Sequence, residues 1–370
     1  MRIERIILHH LRMTLRTPFE TSFGRIDTRD CILIEAYSPD GLVGYGECVA
    51  DRDPGYSYET AETAWIITRD FLVPAMLGKE LAAPGEVQKL FASVKGNQMA
   101  KAGLEMAFWD LLGKQQGKSL RQLFGGVRQQ VEVGVSVGLQ ESPAALVKVV
   151  EGYLAQGYTR IKIKIKPHRD VGDAQAVRHA FSELRLQVDA NSAYRLDNAR
   201  DLLPLDELNL LLIEQPLAED DLWDHSRLQK DFRTALCLDE SIISERHARQ
   251  ALEMQACRII NIKAGRVGGL SEAIAIHNLC YALGIPVWCG GMLETGVGRA
   301  ANLALASLPG FSLPGDISAS DRYYAEDITH QRFALNSDST ITVPDAPGLG
   351  VDINEKALER ATLKRTMLES

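Results

Sequence analysis

Apolar and polar positions change rhythm twice along the chain. In the first 50 residues, RIERIILHHLRM and CILIEAYSP are apolar-rich segments of the kind that form strands, and Asp40-Gly41 suits a hairpin turn. From about residue 58 to 125, ETAETAWIITRDFLVPAML and MAKAGLEMAFWDLLGKQQGKSLRQLFGG carry apolar residues at helical spacing. Gly125-Gly126 stops the second of these helices. Strands followed by helices, kept apart in sequence, predict an α+β domain over residues 1–125.

After residue 130 short apolar runs alternate with amphipathic helical patterns. The runs are VEVGVSVGL (131–139), RIKIKIKP (160–167), RLQVDAN (185–191), LLLIEQP (210–216), ALCLDES (235–241), RIINIKAG (258–265), IPVWCGG (285–291) and FSLPGD (311–316). Alternating β and α units predict a parallel sheet, and eight of them predict a (β/α)8-type barrel over residues 126–320. Residues 321–370 read as a loop-like tail with a hairpin-like stretch at DSTITVPD, expected to return to the first domain.

A barrel strand is buried on both faces, which makes RIKIKIKP unusual. Ile161, Ile163 and Ile165 would face the helix layer, so Lys162 and Lys164 would point into the barrel, while Lys166 next to Pro167 would reach solvent. Buried ammonium groups are costly without a partner. Chemistry in such barrels gathers at the C-terminal strand ends. Those ends supply Ser136, Lys162 with Lys164, Asp189 with Asn191, Glu214, Asp239 and Lys263. Three consecutive strands thus end in carboxylates, flanked on both sides by lysines. Converging carboxylates repel, and a hard divalent cation with oxygen ligands, Mg²⁺ or Mn²⁺, resolves the repulsion. The plainer reading makes each acid a loop residue or helix cap, and each lysine a structural ion-pair partner. A metal flanked by two lysines suits proton chemistry beside a substrate carboxylate, with burial and a nearby cation expected to depress a lysine's pKa.

Composition narrows the partners. The net charge of −8 argues against a nucleic-acid binder, and no apolar stretch is long enough for a membrane span. The charged N-terminus MRIERIILHHLRM does not read as a signal peptide. Six scattered cysteines without a CxxC motif read as free thiols in a reducing cytoplasm.

The order KxK, D, E, D, K at successive strand ends resembles the enolase superfamily, in its muconate-lactonizing-enzyme-like branch. TPFETSFG (17–24), KIKIKP (162–167), DANSAY (189–194), EQPL (214–217), DES (239–241), NIKAGRVGG (261–269), VWCGGMLETGVGRAANLALASLP (287–309) and LPGDISASDRYY (313–324) are similar to signatures of its o-succinylbenzoate synthase and N-succinylamino acid racemase subfamily. The resemblance implies a (β/α)7β modified TIM barrel with an α+β capping domain. It implies Asp189, Glu214 and Asp239 as ligands of Mg²⁺ or Mn²⁺, Lys164 as general base and Lys162 as the cation beside the substrate carboxylate. Lys263 matches the lysine on the opposite face, a cation in the synthase and a second acid/base in the racemase. Phe19, Phe23 and Tyr56 would close over the substrate, and Ser136, Asn191, Gly291, Met292 and Leu293 would form the barrel side of the pocket. Domain-interface packing is the competing reading of the three aromatics. The expected substrate is a small carboxylate with a succinyl or acyl arm, and the resemblance implies a homo-oligomer.

Two departures narrow the family reading. No histidine sits at a strand end, where a mandelate-racemase-like base would be. The Asp-x-Asp that grips a dipeptide's ammonium in epimerases reads Asp316-Ile317-Ser318. Dipeptide epimerase or cycloisomerase activity, a retired enzyme kept as a scaffold and a barrel metallohydrolase are the alternatives; the last needs histidine ligands, which are absent at the strand ends. Arg266, three residues after Lys263, is expected to lower that lysine's pKa by like-charge repulsion or else to lie on a surface loop.

Overall fold

The computed structural model describes residues 1–370. Three antiparallel strands open the chain: β1 (Arg5–Thr21), β2 (Gly24–Tyr37) and β3 (Val43–Cys48). Helices follow, the longest at Gln98–Gln116. Its buried residues run almost all the way round, because it packs on β3 on one side and reaches the barrel on another. The contact with β3 is backbone to backbone. A Cβ on Gly46 would lie 2.0 Å from the Gly103 carbonyl oxygen, so only glycine fits there.

Past a short strand β4 (Gln130–Glu132), seven parallel strands form one sheet: β5 (Val135–Val137), β6 (Arg160–Lys164), β7 (Arg185–Asp189), β8 (Ile213–Glu214), β9 (Leu236–Leu238), β10 (Ile259–Ile262) and β11 (Val287–Cys289). They are hydrogen-bonded in chain order, as right-handed βα crossovers require. The eighth apolar run, 311–316, forms no regular strand. It closes the barrel through single bridges instead. Asp316 N donates to Cys289 O at 2.9 Å on one side, and Gly315 N donates to Glu132 O at 3.0 Å on the other. Pro314 has no N–H to offer a ladder, which explains the irregularity. The architecture is the (β/α)7β barrel with an α+β cap.

Two late strands return to earlier parts of the chain. β12 (Thr340–Thr342) pairs with β4, and β13 (Thr362–Glu369) pairs with β1 at the edge of the cap sheet. Cap and barrel are tied by buried acids. Glu105 of the long helix accepts from the backbone of Leu270 and Ser271, at the start of a barrel helix. Glu47 of β3 accepts from Thr295 N, Thr295 Oγ and Gly298 N, at the start of the helix Gly296–Ala306. Carboxylates at helix N-termini satisfy free N–H groups and complement the helix dipole. No helix is long and apolar enough to cross a membrane.

Candidate active site

Strand register assembles the site. On β6 all five residues are buried, and the isoleucines belong to the main apolar core while Lys162 and Lys164 face the interior. Lys164 pairs with Asp189 in the β6–β7 register, and Asp189 pairs with Glu214 in the β7–β8 register. Glu214 lies beside Cys237 on β9, and Asp239, two residues further, returns to the same face. Lys263 follows β10, four strands from β6. In an eight-membered barrel that is the opposite wall.

The side chains form one buried ionic network. Lys164 Nζ donates to Asp189 Oδ2 at 2.6 Å and to Asn191 Oδ1 at 2.5 Å. Lys162 Nζ lies 2.8 Å from Glu214 Oε2, 3.0 Å from Asp189 Oδ2 and 2.7 Å from Asp316 Oδ2. Lys263 Nζ donates to Asp239 Oδ2 at 2.7 Å and to the Tyr56 hydroxyl at 3.1 Å. Tyr56 in turn donates to Asp239 Oδ1 at 2.9 Å, so a residue of the cap reaches the barrel floor. Asn191 adopts φ +42°, and its amide bridges Lys164 to Glu240 Oε1 at 2.8 Å.

The charges set one another's pKa. Burial opposes ionisation of Asp189, but Lys164 and Lys162 outweigh it and hold its carboxyl below the usual range. Asp239 is likewise low, burial being overcome by Lys263 and Arg266. Glu214 is pushed up to about 8 by burial and by the neighbouring Asp189. One expectation is corrected here. Burial pulls Lys162 and Lys263 down, but Asp316 and Glu214 for the first and Asp239 for the second more than reverse it, and both stay above the ordinary lysine value. Arg266 stands beside Lys263 on the same acid. It is buried, its Nε bonds Ile242 O at 2.7 Å, and its Nη1 rests on Asp239 Oδ1, so it shares with Lys263 one carboxylate. It is not a surface loop arginine.

Above the network lies a cavity of about 170 Å³. Phe19, Phe23, Tyr56, Ser136, Asn191, Gly291, Met292 and Leu293 all line it, together with Lys162, Lys164 and Lys263. Asp189, Glu214, Asp239 and Arg266 lie outside its lining. The roof is the tip of the long β1–β2 hairpin. Ser22 Oγ donates to Asn191 O at 3.1 Å and Leu139 N donates to Glu20 O at 2.9 Å, which docks the tip on the barrel. Phe23 packs on Gly55, where a Cβ would lie 2.6 Å from its ring. Lys166 is outside the network, half-exposed and 4.0 Å from Glu20.

Sequence reasoning missed Asp316 as a site residue. It noted only the absent Asp-x-Asp grip, yet Asp316 is buried between Lys162 and Arg160 Nη1, the latter at 2.6 Å. Its place at the end of the eighth run was the available signal. Asn261, which donates to Glu214 Oε1 at 2.7 Å, and Glu240 were missed as well. Both face inward at strand ends already recognised.

Comparison with known proteins decides the family. Residues 145–357 match the family described as "Enolase C-terminal domain-like", and residues 2–125 match the "Mandelate racemase / muconate lactonizing enzyme, N-terminal domain". The chain belongs to the enolase superfamily. Within this superfamily it is 52% identical to the o-succinylbenzoate synthase of Geobacillus stearothermophilus, over 97% of this chain and 96% of that one. It is 48% identical to the N-succinylamino acid racemase of Thermus thermophilus, over 98% of each. The crystal structure of an enolase-superfamily protein from Listeria innocua superposes with a TM-score of 0.96 at 42% identity, covering 100% of this chain and 99% of that one.

Proposed function

We propose that this enzyme abstracts the α-proton of a carboxylate substrate and acts as an N-succinylamino acid racemase and as an o-succinylbenzoate synthase. One observation carries the reading: two buried lysines on opposite walls of a single cavity, with three carboxylate strand ends between them. The names of the relatives at 48% and 52% identity support the choice of substrates.

A divalent cation, Mg²⁺ or Mn²⁺, fits the donor set. Asp189, Glu214 and Asp239 are buried oxygen donors on adjacent strands, and Glu240 Oε2 beside them is buried without a partner. As arranged, the lysine ammoniums rest on these oxygens, and no acidic cluster is shaped as a finished cage. Bound by these three residues, the cation would supply electrostatic stabilisation of charge developing on the substrate carboxylate.

The residues divide the remaining work. Lys164, as the free amine, takes the α-proton, and the electron pair moves into the substrate carboxylate. Lys162 and Lys263 ammoniums lower the energy of that charge. Lys263 then gives a proton to the α-carbon from the other face, which inverts it. Where the β-carbon carries a hydroxyl, the C–O bond breaks instead, and the hydroxyl leaves as water with the proton held by Lys164. The docked hairpin covers the cavity, and Asn191 holds the Lys164 amine in position.

The test assays both substrates side by side on the Mg²⁺-loaded protein. Racemisation of an N-succinylamino acid together with dehydration of the o-succinylbenzoate precursor is expected, both lost in Lys164→Ala. Dehydration without racemisation would make the enzyme a dedicated synthase, with Lys263 acting only as a cation.

A further inference from the structure

We propose that Arg25, on the hairpin roof, forms a subsite for a second carboxylate on the far end of the substrate. This rests on the substrate class proposed above and adds the group that selects a succinyl arm over an uncharged acyl arm. Five cationic side chains line the cavity: Lys162, Lys164, Lys263, Arg25 and Arg29. The three lysines are committed to the carboxylates of the floor. Arg29 is buried and saturated. Its Nε bonds Met292 O at 3.0 Å, its two terminal nitrogens rest on the Asp30 and Val49 carbonyls, and Asp51 Oδ1 lies 3.1 Å away.

Arg25 differs. Its guanidinium has one partner, Asp27 Oδ1 at 3.5 Å, and both side chains are mostly exposed. A contact of that length is weak and gives way to a better acceptor. The other acids of the roof already have cations: Asp51 has Arg29, Asp53 has Arg52 at 3.1 Å, and Glu20 faces Lys166 at 4.0 Å. Of the five cations that line the cavity, Arg25 is therefore the one available to an arriving anion. A planar guanidinium fork matches a carboxylate in a bidentate pair. Phe19, Phe23 and Ile26 share the lining with it and give the roof an apolar surface for the arm. With the α-carboxylate drawn to the floor, the opposite end of an N-acylamino acid points to the roof. A succinyl arm ends there in a carboxylate and an acetyl arm in a methyl group.

The test is titration calorimetry on the Mg²⁺-loaded protein, with N-succinyl- and N-acetyl-L-phenylalanine as paired ligands. Wild type is expected to bind the succinyl compound about tenfold more tightly, equivalent to about 1.4 kcal/mol. Arg25→Gln should remove that preference while leaving the Kd for the acetyl compound within about twofold, and Arg25→Lys should restore part of it. Equal affinities in wild type, or equal losses for both ligands in Arg25→Gln, would overturn the subsite. Turnover is scored separately. A succinyl preference lost in Arg25→Gln but without racemisation would sink the proposed reaction and leave the subsite standing.

Discussion

Asp316 offers a quantitative test of the buried network. Its carboxylate accepts from Arg160 Nη1 at 2.6 Å and from Lys162 Nζ at 2.7 Å, and all three side chains are buried. Solvent screening is slight in such a place. Removing one member of a buried charge pair costs about 3–5 kcal/mol, because the partner is left uncompensated. Asp316→Asn keeps one acceptor oxygen, and Lys162 retains Glu214 at 2.8 Å and Asp189 at 3.0 Å. The lower end, about 3 kcal/mol, is therefore expected. For a chain of 370 residues the unfolding entropy is about 0.8 kcal/mol/K, so Tm should fall by about 4 °C. Scanning calorimetry at one fixed scan rate measures this. The pH dependence has a definite sign. Burial opposes ionisation of Asp316, but Lys162 and Arg160 hold its carboxyl below the ordinary value of 3.8. Its stabilisation is complete above that ordinary value and is lost as the pH falls through the folded one. The gap between wild type and variant should thus be equal at pH 7 and pH 5 and close only in stronger acid. An unchanged or raised Tm at pH 7 would show that the ion pairs do not repay their desolvation.

Other sites make independent predictions. Glu47→Ala leaves Thr295 N, Thr295 Oγ and Gly298 N without their buried acceptor, so it should lower Tm and speed hydrogen exchange in the helix Gly296–Ala306; unchanged exchange would refute the cap-to-barrel tie. Arg266→Gln gives Lys263 the undivided charge of Asp239, raises its pKa further and should slow racemisation more than dehydration; equal losses in the two rates would refute that role. Mg²⁺ should raise Tm in wild type, and the rise should vanish in Asp189→Asn, Glu214→Gln and Asp239→Asn. A rise that survives in all three would place the metal elsewhere.

The barrel was legible because its strands are short, apolar and regularly spaced, and because charged residues at their ends have no structural reason to recur. Period-two alternation in RIKIKIKP placed Lys162 and Lys164 inside, and the structure buries both. The eighth strand was only half legible, since Pro314 breaks a ladder that apolar content alone suggests. Side-chain pairing across the barrel was not legible. Nothing in the spacing of Arg160, Lys162 and Asp316 says that they meet, because the contact spans more than 150 residues. The same limit hid the partner of Arg266. Its nearness to Lys263 in sequence was legible, but not the Asp239 carboxylate that the two cations share. The hairpin tip was recognised only through TPFETSFG, because a long two-stranded arm has no periodic signal for what it covers.

The central claim is that Lys164 and Lys263 serve opposite faces of one α-carbon. Its most direct test is proton exchange in D₂O, followed by NMR and polarimetry for each enantiomer of an N-succinylamino acid. Each lysine variant keeps one base, which can remove and return a proton on its own face only. Lys164→Ala is expected to exchange the α-proton of one enantiomer and Lys263→Ala that of the other, with neither racemising. Exchange of both enantiomers by either variant, or racemisation by either, would contradict the two-lysine account.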